Sequence, residues 1–203
     1  MSTWQLFRTG GFTLIILLFC SIVSLAIIIE RYLYYRRRSR VKRLDFMKKV
    51  RKELEKGSVE TALSICKKSD TPFSSVVYAG LSFYNHSEKE ISNNMDREIV
   101  VETTTLERFT AIIGTIASVA VYIGLFGTVL GIMRVFHDLS ASGTGGVGVV
   151  INGISEALVT TAAGLCVAVP AITAYNYFIK KIDSFIKDME LCASETMDLT
   201  APK

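Results

Sequence analysis

The chain has 203 residues, half of them hydrophobic, with a mean hydropathy of +0.37 and a formal net charge of +4. A composition this apolar excludes an ordinary soluble domain of the same length, and the small net charge says little because the charges are segregated along the chain. The cysteines, at positions 20, 66, 166 and 192, form no CxxC pair and have no metal-ligand spacing. We therefore expect reduced thiols, no disulfide framework and no metal site.

The first apolar run extends from Gly11 to Ile29 and carries no charge. At about 1.5 Å per residue, a helix of this length spans about 29 Å, the thickness of a hydrocarbon core. A cleaved signal peptide is the alternative, but the run is long for one, only Arg8 precedes it as a basic residue, and no small-x-small cleavage site follows. We assign residues 1–10 to a short external N-terminus and residues 11–30 to a first transmembrane helix.

Basic residues dominate the stretch that follows this span. Six of the eight residues from 36 to 43 are basic: Arg36, Arg37, Arg38, Arg40, Lys42 and Arg43. Next to a span, such a cluster marks the cytoplasmic side and contacts anionic membrane lipids, an interpretation that we favour over nucleic-acid binding. Because residues 36–108 hold 16 of the 23 lysines and arginines, we place the region 31–108 in the cytoplasm and the N-terminus outside.

The cytoplasmic region is expected to be a helical bundle. Val41–Lys56 has the pattern of a charged helix, and Ser58 is suited to cap a short amphipathic helix after it. Thr71-Pro72 opens a further helix, from Phe73 to about Tyr84, because proline suits a first helical turn. From Glu88 onward apolar residues recur at helical spacing with no helix-breaking residue, so we expect one long helix from the cytoplasm through the membrane.

The second span is the uncharged segment 109–133, enclosed by Arg108 and Arg134. One side of it is formed by small residues, among them Gly124, Gly127 and Gly131. The last two form a GxxxG pair, which lets helix backbones approach closely in lipid. The same side carries Thr128, whose hydroxyl either belongs to a functional site or bonds a carbonyl of its own helix.

The third span, 149–179, follows an external turn over residues 134–148, which is rich in glycine but lacks the GK[ST] of a phosphate-binding loop. Between Asp138 and Lys180, Glu156 is the only charged residue. A carboxylate at the centre of a membrane helix costs about 2.5–3.5 kcal/mol on insertion scales, so Glu156 is expected to face a helix partner or water. An inert, hydrogen-bonded carboxylate near the outer end of the helix is the alternative.

Helical spacing sorts the other notable residues of the third span by side. One side carries Asn152, Glu156, Thr160, Ala163 and Pro170, and the neighbouring side carries Thr161, Gly164 and Ala168. Pro170 removes a backbone hydrogen bond and is expected to bend the helix. Residues 180–203 are expected to continue the helix into the cytoplasm and to end as a C-terminal tail.

Two stretches of these spans are long enough to be specific. The first is Gly-Leu-Phe-Gly-Thr-Val-Leu-Gly-Ile-Met at 124–133, and the second is Glu-Ala-Leu-Val-Thr-Thr-Ala-Ala-Gly-Leu at 156–165, followed by Val-Pro-Ala at 169–171. Together they resemble the MotA/TolQ/ExbB proton-channel family, most nearly its ExbB/TolQ branch. The sequence departs from the family at Val121, where a proline usually follows the alanine.

The resemblance implies a subunit of a channel and motor in the cell inner membrane, without a cofactor. Proteins of this branch form homo-oligomers, pentamers where known, around an ExbD/TolR-like single-span protein. They use the proton-motive force to energise an envelope process such as TonB-dependent import, so a TonB-like protein is a further expected partner and nucleic acid is not. Carried over by motif, the proton pathway or pore residues are Thr128, Glu156, Thr160 and Thr161. Helix packing is assigned in the same way to Gly124, Gly127, Gly131, Gly164 and Pro170.

The sequence thus predicts an all-α integral membrane protein with three transmembrane helices, two of them extending into a cytoplasmic helical bundle. The N-terminus is expected in the periplasm and the C-terminus in the cytoplasm. No Ser/His/Asp or Cys/His set, metal cluster or nucleotide loop indicates an enzyme. The alternatives are a Tol-type or gliding motor subunit, a homo-oligomeric secondary transporter that uses Glu156, and a passive membrane scaffold; sodium in place of the proton also stays open.

The position of Glu156 predicts a partner. This residue lies only about 10 Å from the expected outer start of its helix, and the second span and the part of the first between Arg8 and Glu30 carry no charged residue. We therefore expect the carboxylate at mid-depth to come from the single-span partner. Its helix would fill a central space surrounded by the small-residue sides of the second and third spans.

Overall fold

The computed structural model of the chain describes residues 11–142 and 147–200. These residues form seven α-helices and no strand: α1 Gly11–Arg38, α2 Arg43–Glu55, α3 Val59–Lys68, α4 Pro72–Leu81, α5 Glu88–Glu107, α6 Thr110–Ser142 and α7 Val147–Thr200. Three helical stretches are long and apolar enough to cross a membrane, beginning at Gly11, Glu88 and Val150. The predicted all-α membrane fold with three spans is confirmed.

Some sequence-based assignments lie outside the described residues. They are the external N-terminus at 1–10, positions 143–146 of the predicted turn, and the last three residues of the tail. Of the remainder of that turn, residues 134–142 continue α6 and residues 147–148 begin α7. The helices are therefore longer here than the glycine-rich composition indicates.

The chain divides into two compact units. We call residues 11–29, 109–142 and 147–176 the membrane unit. Residues 30–108 and 177–200 are called the polar unit. The first part of α1, up to Ile29, and the first part of α7, up to Asn176, belong to the membrane unit together with α6. The polar unit holds α2 to α5 and the remaining segments of α1 and α7.

In the membrane unit, α6 and α7 pack through their smallest residues. A Cβ added at Gly164 would lie 2.7 Å from the Ala120 carbonyl oxygen and 3.0 Å from the Gly124 Cα, so the two backbones touch at this point. Further along the pair, a Cβ added at Gly131 would lie 2.7 Å from the Cβ of Ala157. This is the close backbone approach that small residues permit in lipid.

The small-residue sides of the two spans are therefore occupied within the chain. This corrects the expectation that they stay open to surround a partner helix. The spacing of small residues identified the correct side of each helix, but spacing does not identify what covers it. Pro170, which was assigned to the same packing, lies on an exposed side of α7.

The polar unit has an apolar core built from six helical segments. Its fully buried side chains include Phe73, Val76 and Val77 of α4, which has only a short polar stretch and is buried along most of its length. Phe46 of α2 packs against Phe73 with ring centroids 5.2 Å apart, and Tyr35 of α1 meets Phe178 of α7 at 5.4 Å. These contacts pair α2 with α4 and the segment of α1 with that of α7.

The capping predictions have different outcomes. Ser58 occupies the residue before α3, but its side chain makes no capping hydrogen bond, which corrects the predicted cap. Pro72 stands at the first turn of α4 as predicted, and the amide of Thr71 donates to Ser74 Oγ at 3.4 Å. The hydroxyl of Ser74 in turn donates to the Ser69 carbonyl at 2.7 Å, so this helix start is held by its own side chains.

The predicted long helix through the membrane is interrupted. Helix α5 ends at Glu107 and α6 begins at Thr110. Between them Arg108 has ψ near 129°, and Phe109 has φ 67°, in the left-handed region that a residue with a Cβ seldom adopts. Neither residue is a glycine or a proline, so the sequence carries no local signal for this break.

Side chains of α1 hold the end of α5. Tyr35 Oη donates to the Leu106 carbonyl at 2.7 Å, and Arg31 Nη1 donates to the Thr105 carbonyl at 3.3 Å. Carbonyls of a last helical turn lack partners within their own helix, so these two bonds stabilise the helix end. Burial raises the pKa of Tyr35 to about 12. Its phenol therefore keeps its proton at physiological pH and can donate this hydrogen bond.

A buried ion pair also connects α1 to α5. Glu102 is only 7% exposed, and it accepts hydrogen bonds from Arg38 Nη2 at 3.1 Å and from Ser75 Oγ at 2.7 Å. A buried carboxylate is tolerated only when such partners replace water. Arg38 therefore serves as an internal partner as well as a member of the basic cluster.

Candidate functional site

The membrane unit contains a polar cleft of about 400 Å³. Three helices line it, each through one short stretch: α1 through residues 11–13, α6 through residues 127–138 and α7 through residues 152–160. Its polar or charged side chains are Thr13, Arg134, Asp138, Asn152, Glu156 and Thr160. This is a concentration of polar groups within helices that are otherwise apolar.

Three of the six polar lining residues of the cleft belong to α7. Asn152, Glu156 and Thr160 are spaced four residues apart, so they lie one above another on one side of the helix, as the sequence predicts. The Glu156 side chain is half-buried, and within the described part of the chain it makes no hydrogen bond or ion pair. Its carboxylate therefore faces the cleft without a protein partner among the described residues.

Two neighbouring threonines join α7 to α6 beside the cleft, and the first of them, Thr160, also lines it. Thr160 Oγ1 donates to the Ala157 carbonyl at 2.7 Å and lies 3.3 Å from the Gly124 carbonyl oxygen. Thr161 Oγ1 donates to the same Gly124 carbonyl at 3.1 Å. Both hydroxyls thus tie α7 to α6 at the glycine where the two backbones are close.

Thr13 is a cleft residue that the sequence analysis missed. It is 4% exposed, and a Cβ added at Gly127 would lie 2.9 Å from its hydroxyl oxygen and 2.6 Å from that of Thr160. The two hydroxyls therefore flank Gly127, and α1 contributes to the same site as α6 and α7. Within the apolar run Gly11–Ile29, no polar residue follows Thr13 at helical spacing, so the run gives no signal of a polar side.

Arg134 and Asp138 were also missed, for a different reason. The sequence analysis placed them in an external turn, whereas α6 continues through both residues to Ser142. Their positions one turn apart then bring both side chains to the cleft. With Glu156, the cleft carries two carboxylates and one guanidinium.

Thr128 lies apart from this group. Its hydroxyl donates to the Leu125 carbonyl of its own helix at 2.6 Å, and its side chain is buried away from the residues that line the cleft. Of the four predicted pathway residues, the structure brings Glu156 and Thr160 together in the cleft, with Thr161 adjoining them through Gly124. The pathway role of all four residues stays a prediction.

The chain was compared with known proteins. The family model described as the MotA/TolQ/ExbB proton channel family matches residues 68–191, more than half of the chain. The chain belongs to this family. The predicted membership, including its ExbB/TolQ branch, is confirmed, and residues 68–191 contain the α6 and α7 walls of the cleft.

Curated relatives include both ExbB and TolQ proteins. The chain is 30% identical over 192 residues to a putative biopolymer transport protein ExbB homolog of Methanothermobacter thermautotrophicus, covering 95% of this chain and 68% of the relative. It is 44% identical over 94 residues to the Tol-Pal system protein TolQ of Haemophilus influenzae, covering 46% of this chain and 40% of the relative. It is 37% identical over 106 residues to the biopolymer transport protein ExbB of Pseudomonas putida, covering 50% and 32%. The chain thus spans well under half the length of the last two relatives.

A polar cleft in the membrane unit is consistent with membership of a proton channel family. A proton channel needs a group that can bind and release protons inside the membrane, and the cleft is lined by the carboxylate of Glu156. Among the described residues, no cluster of three or more His, Cys, Asp or Glu side chains has the arrangement of a metal site. The polar groups that line the cleft are carboxylates, hydroxyls, one amide and one guanidinium.

Proposed function

We propose that the chain is an ExbB/TolQ-type subunit of an inner-membrane proton channel that energises an envelope process such as TonB-dependent import. The observation that carries this proposal is the half-buried Glu156 carboxylate, which faces a cleft of about 400 Å³ and has no partner in the described residues. Protons from the adjoining aqueous side would reach Glu156 through the water around Arg134 and Asp138. Glu156 would then release them toward Thr160.

The structure of the α6–α7 pair supports a requirement for a second protein. Beyond Thr160 the interface continues with Ala120, Gly124, Gly164 and Ala168, which have no group that exchanges a proton. A path across the membrane therefore needs a titratable group from elsewhere. We propose that an ExbD/TolR-like single-span protein supplies it, and that a TonB-like protein receives the motion.

The exposed surface of the membrane unit supports assembly with copies of itself. Large apolar side chains project outward from all three helices, for example Phe19, Phe126 and Leu158. Such side chains are suited to contact lipid or neighbouring subunits in a homo-oligomer, which we propose to be a pentamer. A partner helix at its centre would then meet surfaces formed between subunits, since the small-residue sides are already occupied within each chain.

The proposed orientation has the N-terminus in the periplasm and the polar unit in the cytoplasm. A cysteine placed at Ser142, at the end of α6, is expected to react with a membrane-impermeant maleimide in intact cells, whereas a cysteine at Ser58 is expected to react only after lysis. The reason is the excess of basic residues in 36–108. Cys66 and Cys192 interfere little with this test, since burial raises the pKa of each thiol to about 12.

The parent chain with Cys20 and Cys166 replaced by alanine provides the background for both variants. Labelling of the Ser58 variant in intact cells, with protection of the Ser142 variant, would contradict the orientation. It would leave the membrane fold itself untouched.

The proposed function is tested with purified protein in liposomes under an imposed pH gradient and membrane potential. The chain alone is expected to form a stable oligomer with little proton leak. Adding the ExbD/TolR-like partner from the same genome is expected to produce driven flux, which an Asp→Asn change in the partner's span abolishes. Robust Glu156-dependent transport by the chain alone would instead support a homo-oligomeric secondary transporter, and no flux under either condition would support a passive scaffold.

A further inference from the structure

A phenol lies near the middle of the second span, on the outside of the membrane unit. Tyr122 is close to the centre of the uncharged segment 109–133 and is 69% exposed. Its hydroxyl makes no hydrogen bond with any residue that the structure describes. The exposed hydroxyls of Thr115 and Ser118 differ, because each donates to a carbonyl of its own helix, at 2.9 Å and 2.6 Å. The phenol of Tyr122 therefore still needs an acceptor.

Pro170 leaves an acceptor without its donor on the third span. Because proline has no N–H, the carbonyl of Cys166, four residues earlier, lacks the hydrogen bond that a helix normally supplies. The nearby hydroxyl of Thr173 donates elsewhere, to the Val169 carbonyl at 2.8 Å. Cys166 and Pro170 are both exposed, so the unsatisfied carbonyl lies on an outer side of α7.

The donor and the acceptor lie at the same depth along the α6–α7 pair. The two helices run antiparallel, and Gly164 lies between the levels of Ala120 and Gly124. Cys166 is two residues, or about 3 Å, further along α7, on the side of Ala120. Helical side chains lean toward the N-terminus of their helix and helical carbonyls point toward the C-terminus. The Tyr122 phenol and the Cys166 carbonyl therefore extend in the same direction from neighbouring levels.

Neither group can be satisfied by lipid. Acyl chains carry no hydrogen-bonding groups, so an unpaired hydroxyl or carbonyl at this depth costs free energy until another protein group pairs with it. The two groups do not pair within one chain of the described structure. Two copies can pair them, because the donor and the acceptor lie on different helices and each copy offers what its neighbour needs.

We propose that the phenol of Tyr122 in one copy donates a hydrogen bond to the Cys166 carbonyl of the next copy, where Pro170 keeps that acceptor open. Different surfaces meet in this contact, so it is heterologous and can close into a ring. The exposed side chains of Phe126 on α6 and Val169 on α7 pack in the same interface. The inference rests on the proposed function, because it assigns an interface to the proposed homo-oligomer.

Photo-cross-linking of the full-length protein in native membranes tests the contact. Tyr122 is replaced by p-benzoylphenylalanine, an aromatic residue that bonds to C–H groups in contact with it on illumination. A ladder of dimers and larger species is expected, because a heterologous contact repeats from copy to copy. Peptide mapping of the dimer is expected to place the adduct within residues 166–170. The matched control carries the same residue at Val121, about 100° round the same helix, and is expected to give no adduct in that range.

Three results would overturn the pairing. Adducts between two copies of α6 would show that the phenols face each other across a common axis. Dimers without larger species would show a contact of like surfaces. Adducts only with a different protein, or none between copies, would show that the phenol faces another helix or lipid.

A double-mutant cycle tests the hydrogen bond itself. Tyr122→Phe removes the donor, and Pro170→Ala restores the N–H that occupies the acceptor. Each variant is expected to raise the dissociation constant between copies about threefold, measured by energy transfer between labelled chains diluted in lipid bilayers. Because both changes remove the same bond, Tyr122→Phe is expected to have no further effect in the Pro170→Ala chain. Tyr84→Phe, the same change at an exposed phenol of the polar unit, is the control. Additive weakening would overturn the proposed bond.

Both measurements report contact between copies and neither reports proton flux. Adducts at 166–170 with a non-additive cycle, in a chain that conducts no protons with its partner, would refute the proposed function and support this contact. Adducts elsewhere in an assembly that does conduct would refute the contact and leave the proposed function in place.

Discussion

Replacing Gly164 with valine is expected to abolish accumulation of folded protein. The first added carbon alone would lie 2.7 Å from the Ala120 carbonyl oxygen and 3.0 Å from the Gly124 Cα. These are backbone atoms of a helix, so neither can turn aside as a flexible side chain can. Overpacking of a core typically costs about 1–3 kcal/mol, and a clash against backbone belongs at or above the upper end of that range.

The substitution would also remove bonds that it does not touch. Separating α6 from α7 breaks the hydrogen bond from Thr161 to the Gly124 carbonyl, which exists only while the backbones are close. The measurement is the amount of protein in the membrane fraction and the size of the single peak on gel filtration in mild detergent. Gly148→Val serves as the control because a Cβ at Gly148 has no atom within 4 Å. Parent-level, monodisperse Gly164→Val protein would contradict the described interface.

Glu156→Gln is expected to reduce proton flux to the background of protein-free liposomes while leaving the fold intact. Glutamine keeps the shape of the side chain and removes its ability to exchange a proton. Because Glu156 makes no hydrogen bond or ion pair in the described residues, its replacement is expected to change the free energy of unfolding by less than about 0.5 kcal/mol.

Flux is measured by a pH-sensitive dye inside liposomes that contain the chain and its partner. The matched control is Glu60→Gln, which makes the same chemical change on the exposed side of α3 in the polar unit. A Glu156→Gln channel that conducts like the control would remove Glu156 from the pathway. It would then be the inert carboxylate that the sequence analysis left as an alternative.

Periodicity accounts for what could be predicted. The three spans follow from long apolar stretches, and the alignment of Asn152, Glu156 and Thr160 follows from a spacing of four on one helix. The family followed from two long motifs that lie in α6 and α7. These signals are local along the chain, so a single sequence reveals them.

The remaining features depend on contacts between distant segments. The break at Arg108 and Phe109 is held partly by Tyr35 and Arg31, which are more than 70 residues away in sequence. Thr13 enters the cleft because α1 packs there, with Leu17 against Ala120. Helical spacing predicts which side of a helix is buried but does not identify the segment that covers it.

The close contact of Gly124 with Gly164 has a consequence for biogenesis. Both glycines belong to one polypeptide, only 40 residues apart in sequence, so their encounter is unimolecular and its rate does not depend on how many copies the membrane contains. The α6–α7 hairpin can therefore close as soon as residue 164 has entered the bilayer, before any neighbour is synthesised. Each newly made chain then reaches the assembly step with this hairpin already closed, and dilution of the protein in the membrane would slow oligomerisation without slowing the closure.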